Sequence, residues 1–445
     1  GESFFKIFVF YKNMEMIFWI ITISVVCIIT GVIFYRPYLG IALVIISIPF
    51  EGKIDFDSFT VYPLETIMGI LICICLYKLI VCRENYFRNT KLVYCYLPLM
   101  LCILLSTLKS LEYSLSVKEF VRWLELILIY FLTINLINDD KKLIVILYTM
   151  VLATVMVSVY GVVSYLVGAK SAYGGRPEVF SFFGNTNPLA GYVNLIIPVV
   201  FGMLLVSILL WKRIALGIFT ILLIVAWFLT FSKTAWLSLV LTVILIFFLT
   251  KVKRKVALLL VTLFTVFTIT FLSSNIKDDL TGRLRLHTIR GTVEERFGFY
   301  PLGFNMVKDD LIFGIGIGNY HLLIDDFIQK NAVFMQNDLR SVLVNTHLHS
   351  LYLQIFVETG IMGMSAFAFW LVCVIKYLVS SLRSLERSRD YGLLVGLVGG
   401  VIVYLFNNLT DILVVHGIHL QWGIILGLAV VLIQFRESEK CPEMV

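Results

Sequence analysis

Long apolar runs separated by short charged connectors set the pattern of this chain. Residues 143–167 and 188–210 are each long enough to cross a hydrocarbon core, which needs about 20 apolar residues. Further apolar runs lie near 92–108, 123–137, 214–230, 235–249, 256–272, 350–375, 391–409 and 419–435, with three more upstream near 17–35, 38–50 and 63–77. The pattern predicts an all-α polytopic membrane protein of about 12–13 transmembrane helices. Three upstream crossings would leave Lys6 and Lys12 outside, so one of those runs is expected to be re-entrant. The first run lacks a small-residue cleavage site and leads into further spans, so it is expected to stay in the membrane.

The connectors orient these spans. Lys78, Arg83, Arg88 and Lys91 form one basic cluster, Lys251, Lys253, Arg254 and Lys255 a second, and Lys376, Arg383, Arg387 and Arg389 a third. Placed in the cytoplasm by the positive-inside rule, they make the spans alternate consistently from residue 92 to the C-terminus. The division that follows is N-terminal transmembrane helices at 1–272, one large extracytoplasmic loop at 273–349, C-terminal transmembrane helices at 350–436 and a cytoplasmic tail at 437–445. The loop holds Phe297, Phe299, Tyr300, Phe304, Phe313, Tyr320, Phe327 and Phe334, apolar surface enough for short helices packed on the membrane domain.

Composition narrows the reading. Hydrophobic residues make up 60% of the 445 and charged ones only 15%, which rules out an ordinary water-soluble domain. The net charge of +7 is concentrated in the connectors and faces an anionic leaflet, so no nucleic-acid partner is expected. The eight cysteines lie in apolar runs or beside basic loops without zinc-type spacing and read as small core residues.

Several cations fall on the outer side against the positive-inside bias: Arg176, Lys233, and Arg283, Arg285, Arg290 and Arg296 in the large loop. An anionic ligand, most economically a phosphate or diphosphate, would account for them, since arginine binds it through a planar fork and lysine as a point charge. The plain alternative is solvated pairing with Asp278, Asp279, Glu294 and Glu295. Lys233 stands apart, because it interrupts apolar sequence where a cation is costly unless paired or wetted.

All six histidines (His287, His321, His347, His349, His416 and His419) are placed in the large loop or in outer turns. His349 opens an apolar run, and a neutral imidazole is suited to take a proton from an attacking hydroxyl near neutral pH; the alternative is an interfacial histidine held by a polar neighbour. No H-E-x-x-H pattern supports a metal, and the acidic pair Asp55 and Asp57 in "KIDFD" is a weak signal for one. The run Gly314, Gly316, Gly318 follows no βα unit and reads as a tight turn. Asn185, Asn187 and Pro188 read as a polar turn opening a helix.

Four stretches carry a resemblance. "SFFGNTNPLAGY", "TFSKTAWLSLV", "ERFGFYPLGFNMVKDDLIFGIGIGNY" and "HLHSLYLQIFVETGIMG", in this order, resemble the O-antigen ligase and O-antigen polymerase superfamily, from about residue 90 onward. The resemblance implies a membrane-embedded glycosyltransferase of the GT-C type, needing no metal or other cofactor. Its donor would be an undecaprenyl-diphosphate-linked oligosaccharide and its acceptor a lipid-linked glycan or lipid A core, at the outer face of the bacterial cytoplasmic membrane. A chain-length regulator is a further implied partner. By the same resemblance His349 takes the place of the catalytic histidine, with Ser350 where asparagine is usual. Arg296 takes that of a diphosphate-binding arginine, with Tyr300 as the following aromatic and Leu311 replacing a proline. Lys233 stands where a second arginine is usual, keeping charge and losing the fork. Arg176 and Arg122 are further candidates for the diphosphate. Polymerase is favoured over ligase, since no feature points to a lipid A core acceptor; a transporter or flippase of the same lipid-linked glycan, or a scaffold, is the alternative.

Overall fold

The computed structural model describes residues 22, 24–50, 54–56, 59–84, 90–169, 179–250, 299–330, 347–415 and 417–439. Two compact units divide the chain, residues 1–87 and 88–445. The first holds the apolar helices α1 (Ser24–Tyr35), α2 (Tyr38–Ser47) and α3 (Pro63–Ile80). Between α2 and α3 lies a hairpin of β1 (Ile54–Phe56) and β2 (Phe59–Val61), with Asp55 opposite Thr60. Proline at the first position of α3 sets its start, because the missing N–H would be unpaired there anyway.

The regular structure described in the second unit is helical, joined by turns. Its helices are α4 (Lys91–Leu108), α5 (Tyr113–Leu136), α6 (Asp140–Leu166), α7 (Thr186–Val206), α8 (Leu210–Leu229) and α9 (Lys233–Leu249). After 250 come a short helix at 299–306, α10 (Tyr320–Lys330), α11 (Leu351–Ser384), α12 (Tyr391–Asn407) and α13 (Ile418–Ser438). Seven described helices, α3 among them, are long and apolar enough to cross a membrane, and the protein is an all-α polytopic membrane protein. The apolar run expected near 256–272 lies outside the described residues.

Burial separates centre from rim. The apolar windows of α7 and α13 are 83% and 89% buried against 33% for α4, so α7 and α13 run through the middle of the bundle while α4 faces outward. Lipid tails are as apolar as leucine, so close backbone approach has to hold such helices together. Gly202 of α7 and Gly396 of α12 supply it, since a Cβ on either would sit 2.7 Å from the Cα of the other. Asn194 of α7, fully buried, donates to Ser238 Oγ of α9 at 2.8 Å and to the Ala235 carbonyl at 3.2 Å.

At one end of the bundle Arg436 of α13 pairs with Asp390 before α12 at 2.6 Å and with Asp140 of α6 at 2.8 Å. The opposite ends of the same helices carry the candidate site. There α11 is broken. Gly360 has φ +66° and ψ −164°, and the carbonyls of Val357 and Glu358, freed by the break, accept from the N–H groups of Ile315 and Gly316 at 3.0 and 3.1 Å. The N–H groups of Ile361 and Met362 donate to the carbonyls of Leu311 and Ile312 at 2.9 and 3.2 Å. Segment 311–316 thus fills the gap in the helix like a strand, which satisfies backbone groups that the hydrocarbon cannot. The glycine run makes the required turn, with φ of +75°, +93° and +77° at Gly314, Gly316 and Gly318.

Candidate active site

Small polar side chains anchor the glycine turn to the α4–α5 corner. Ser106 donates to the Glu358 carbonyl at 2.9 Å and accepts from the Ile317 N–H at 2.8 Å. Ser110 donates to Asn319 Oδ1 at 2.9 Å, and Asn319 donates to the Ile315 carbonyl at 2.9 Å. Ser116 donates to the Ile317 carbonyl. The carboxyl group of Glu358, 4% exposed, takes hydrogen bonds from the backbone of Gly318 and Tyr320 and from Gln354, one turn away on α11. Glu358 therefore joins the broken helix to the start of α10.

That helix carries His321, whose Nε2 lies 2.9 Å from Nδ1 of His347. Both rings titrate below the ordinary imidazole range. Desolvation by the surrounding protein, then the charges of His321, His349 and Arg122, pull His347 down to about 4, and desolvation alone lowers His321. The bond between the two ring nitrogens needs one of them unprotonated as acceptor, which the lowered values favour.

His349 is held differently. Its backbone is left-handed at φ +49°, its ring meets the Phe299 ring edge-on at 5.3 Å, and the next residue, Ser350, caps α11 by accepting from the Leu353 N–H at 3.4 Å. Serine and asparagine are both strong N-caps, which accounts for Ser350 in a position where asparagine was expected. Two more non-glycine residues at this end share the left-handed conformation, Phe231 at φ +55° and Ser181 at +52°. Such conformations cost about 1–3 kcal/mol each and collect at functional sites.

Lys233 is the first residue of α9, half-buried, two residues beyond Phe231. Its neighbour Thr234 accepts from Thr410 at 3.3 Å, and the same 408–411 turn receives the N–H of Leu351 at the start of α11. Lys233 and His349 are thus brought to one end of the bundle through a shared turn. Asn185 opens α7 as expected, accepting from the Asn187 N–H at 3.1 Å. Arg122 is half-exposed on α5 and pairs with Glu119. Arg296 and Arg176 lie outside the described residues, as do His287, His416 and Asp57.

Arg122, Glu119, His347, Gln354 and Glu358 converge on one cavity of about 550 Å³, counted with its open mouth. Its remaining wall is mostly apolar, with Trp123, Ile317 and Ile355 among the lining. Glu119, Gln354 and Glu358 escaped the sequence reading. An acid at Glu358 within an apolar run, with Gln354 at i−4, was the available signal. His419 also differs from expectation: it sits in the first turn of α13, 4% exposed and 3.9 Å from Glu125, rather than in a turn. No group of three metal-ligating side chains occurs among the described residues, and the seven cysteines described are all free.

The histidine cluster, Lys233 and the glycine turn on a broken membrane helix fall within one stretch that can be compared with known families. Residues 218–368 match the family model described as O-antigen ligase. The match supports the O-antigen ligase and polymerase superfamily, with a glycan-transferring activity of that type and lipid-linked glycan substrates. It takes in Lys233, Arg296 and His349 but is shorter than the resemblance, leaving out "SFFGNTNPLAGY", Arg176 and Arg122. No curated protein matches the chain.

Proposed function

We propose that the protein is an inverting, metal-independent glycosyltransferase of the GT-C type that transfers a glycan from undecaprenyl diphosphate to a sugar hydroxyl at the extracytoplasmic face of the cytoplasmic membrane. Extension of a lipid-linked repeat unit is the favoured form, ahead of ligation to a lipid A core. What carries this reading is that His349, strained and two residues from His347 on the wall of a cavity at one end of a membrane bundle, falls inside the stretch that matches O-antigen ligase.

In the proposed reaction His349 takes the proton of the incoming hydroxyl as its oxygen bonds to the anomeric carbon. The bond from that carbon to the diphosphate breaks on the opposite face, and the electron pair leaves with the diphosphate. Arg296 and Lys233, with Arg176 and Arg122 as further cations, balance the charge that develops there, a form of stabilisation that works because it is organised beforehand. Of these, Arg122 already shares its charge with Glu119. The site lies where a lipid-anchored diphosphate would emerge from the membrane, so donor anchorage and chemistry coincide.

The test is transfer by protein in nanodiscs, supplied with its own undecaprenyl-diphosphate repeat unit and excess EDTA. The parent is expected to build a polymer ladder, and His349→Ala to lose about 10²–10⁴-fold in rate. Undiminished turnover in His349→Ala removes the general base, and movement of lipid across the membrane without any transfer turns the reading to a transporter.

A further inference from the structure

The cavity beside His347 is built unlike a diphosphate site. Two carboxyl groups, Glu119 and Glu358, line it against one guanidinium, and Arg122 is already joined to Glu119. Lys233 is not among its lining residues. Phosphate oxygens brought here would face carboxyl oxygens. The Oε1 of Gln354 is buried and accepts no hydrogen bond, while Gln354 Nε2 donates to Glu358 at 3.3 Å. A buried acceptor of this kind calls for a donor. Beside it stand the indole of Trp123, 5% exposed, and the aliphatic faces of Ile317 and Ile355. An apolar wall with a few fixed polar groups suits a ring with C–H faces and a hydroxyl rim.

We propose that this cavity binds the terminal sugar of the acceptor glycan, a neutral or amino sugar, with Gln354 and Glu119 accepting from its hydroxyls and Trp123 against its face. The assignment rests on the proposed transfer reaction and names its acceptor subsite. It places the sugar bearing the attacking hydroxyl beside His347 on the cavity wall, and it takes Arg122, already joined to Glu119, out of the set of cations that serve the diphosphate.

The experiment uses the repeat-unit oligosaccharide released from its lipid as acceptor, with the lipid-linked repeat as donor, on full-length protein in nanodiscs. Gln354→Leu and Trp123→Phe, each checked for folding by thermal midpoint, are expected to raise acceptor KM at least tenfold while donor KM stays within about twofold. A rise in donor KM instead, or an unmoved acceptor KM in both folded variants, overturns the assignment while the transfer reaction stands. If the parent transfers nothing, the proposed function fails on its own. The cavity is then judged by saturation-transfer NMR with methyl β-glucoside and methyl β-glucosaminide. Signal in the parent that Gln354→Leu removes supports a sugar site. Absence of signal, or its displacement by sodium pyrophosphate, overturns it.

Discussion

Gly314 packs so tightly on Gly360 that a Cβ on Gly314 would lie 2.6 Å from the Gly360 nitrogen. Both have positive φ, at +75° and +66°, so a side chain at either is strained before it meets a neighbour. This contact lets the 311–316 segment occupy the break in α11, and through Glu358 it sets the start of α10 and the histidine pair.

Gly314→Ala is therefore expected to destabilise by about 1–3 kcal/mol from backbone strain alone, with more from the overlap. The thermal midpoint of detergent-purified protein checks it. An unchanged midpoint would mean that segment 311–316 does not thread the break.

The spans were readable where length and charge decide them. The run read at 92–108 is α4 at Lys91–Leu108, and 143–167 is α6 at Asp140–Leu166, because a bilayer sets the length and Lys91 or Asp140 marks the edge. The break at Gly360 was not readable, since the apolar run continues through it and the hydrogen bonds that complete it come from residues more than forty positions earlier. The hairpin at Ile54–Val61 was not legible for a different reason: each strand has three residues, too few for the alternation Ile54, Asp55, Phe56 to stand out as a period. At the site, the types of Lys233 and His349 were legible from their chemistry, but the cavity joins α4, α5, α11 and the 412–415 turn, a juxtaposition that no local pattern encodes.

The lowered His347 value makes stability depend on pH in a stated direction. Between about 4 and the ordinary 6.5 the unfolded chain holds a proton on this ring that the folded protein does not, so stability rises with pH across that window and falls as the medium is acidified. Below about 4 both states are protonated and the effect levels off. Thermal midpoints from pH 7 to 4 are expected to drop, with a shallower drop in His347→Asn. Equal slopes in parent and variant would show that this ring is not the one titrating.

Ser350 tests the capping account of the histidine loop. Ser350→Ala removes the acceptor for the Leu353 N–H and is expected to cost about 1 kcal/mol, whereas Ser350→Asn keeps a cap and should match the parent. Midpoints of the two variants decide it. A loss in Ser350→Asn as large as that in Ser350→Ala would separate this position from capping.

Arg436 is 6% exposed and holds Asp140, Asp390 and Glu439 together at the end of the bundle away from the cavity. Removing one partner of a buried pair leaves charge uncompensated, so Arg436→Ala is expected to cost about 3 kcal/mol at most, given that Asp140 is partly exposed. Arg436→Lys should fall between, because a point charge cannot serve two carboxylates through one fork. Turnover per folded molecule should not change in either variant, and a specific loss of turnover would show coupling between the two ends.

Lys233 begins α9, where a cation opposes the positive end of the helix dipole at about 0.3–1 kcal/mol. An anion drawn to this end would meet the ammonium and the helix terminus together, so the unfavourable placement in the free protein becomes favourable when a diphosphate arrives. Lys233→Gln is expected to lower kcat about 10²–10³-fold, the usual scale for losing one preorganised charge at a developing anion. Lys233→Arg separates charge from geometry. If the site uses only a point charge, the arginine variant keeps the parent rate within a few fold; if a fork can engage two phosphate oxygens there, donor KM falls as well. A loss in Lys233→Arg equal to that in Lys233→Gln would mean that the shape of lysine, not its charge, is what α9 requires at its first turn, and the diphosphate would have to be held by the loop arginines without it.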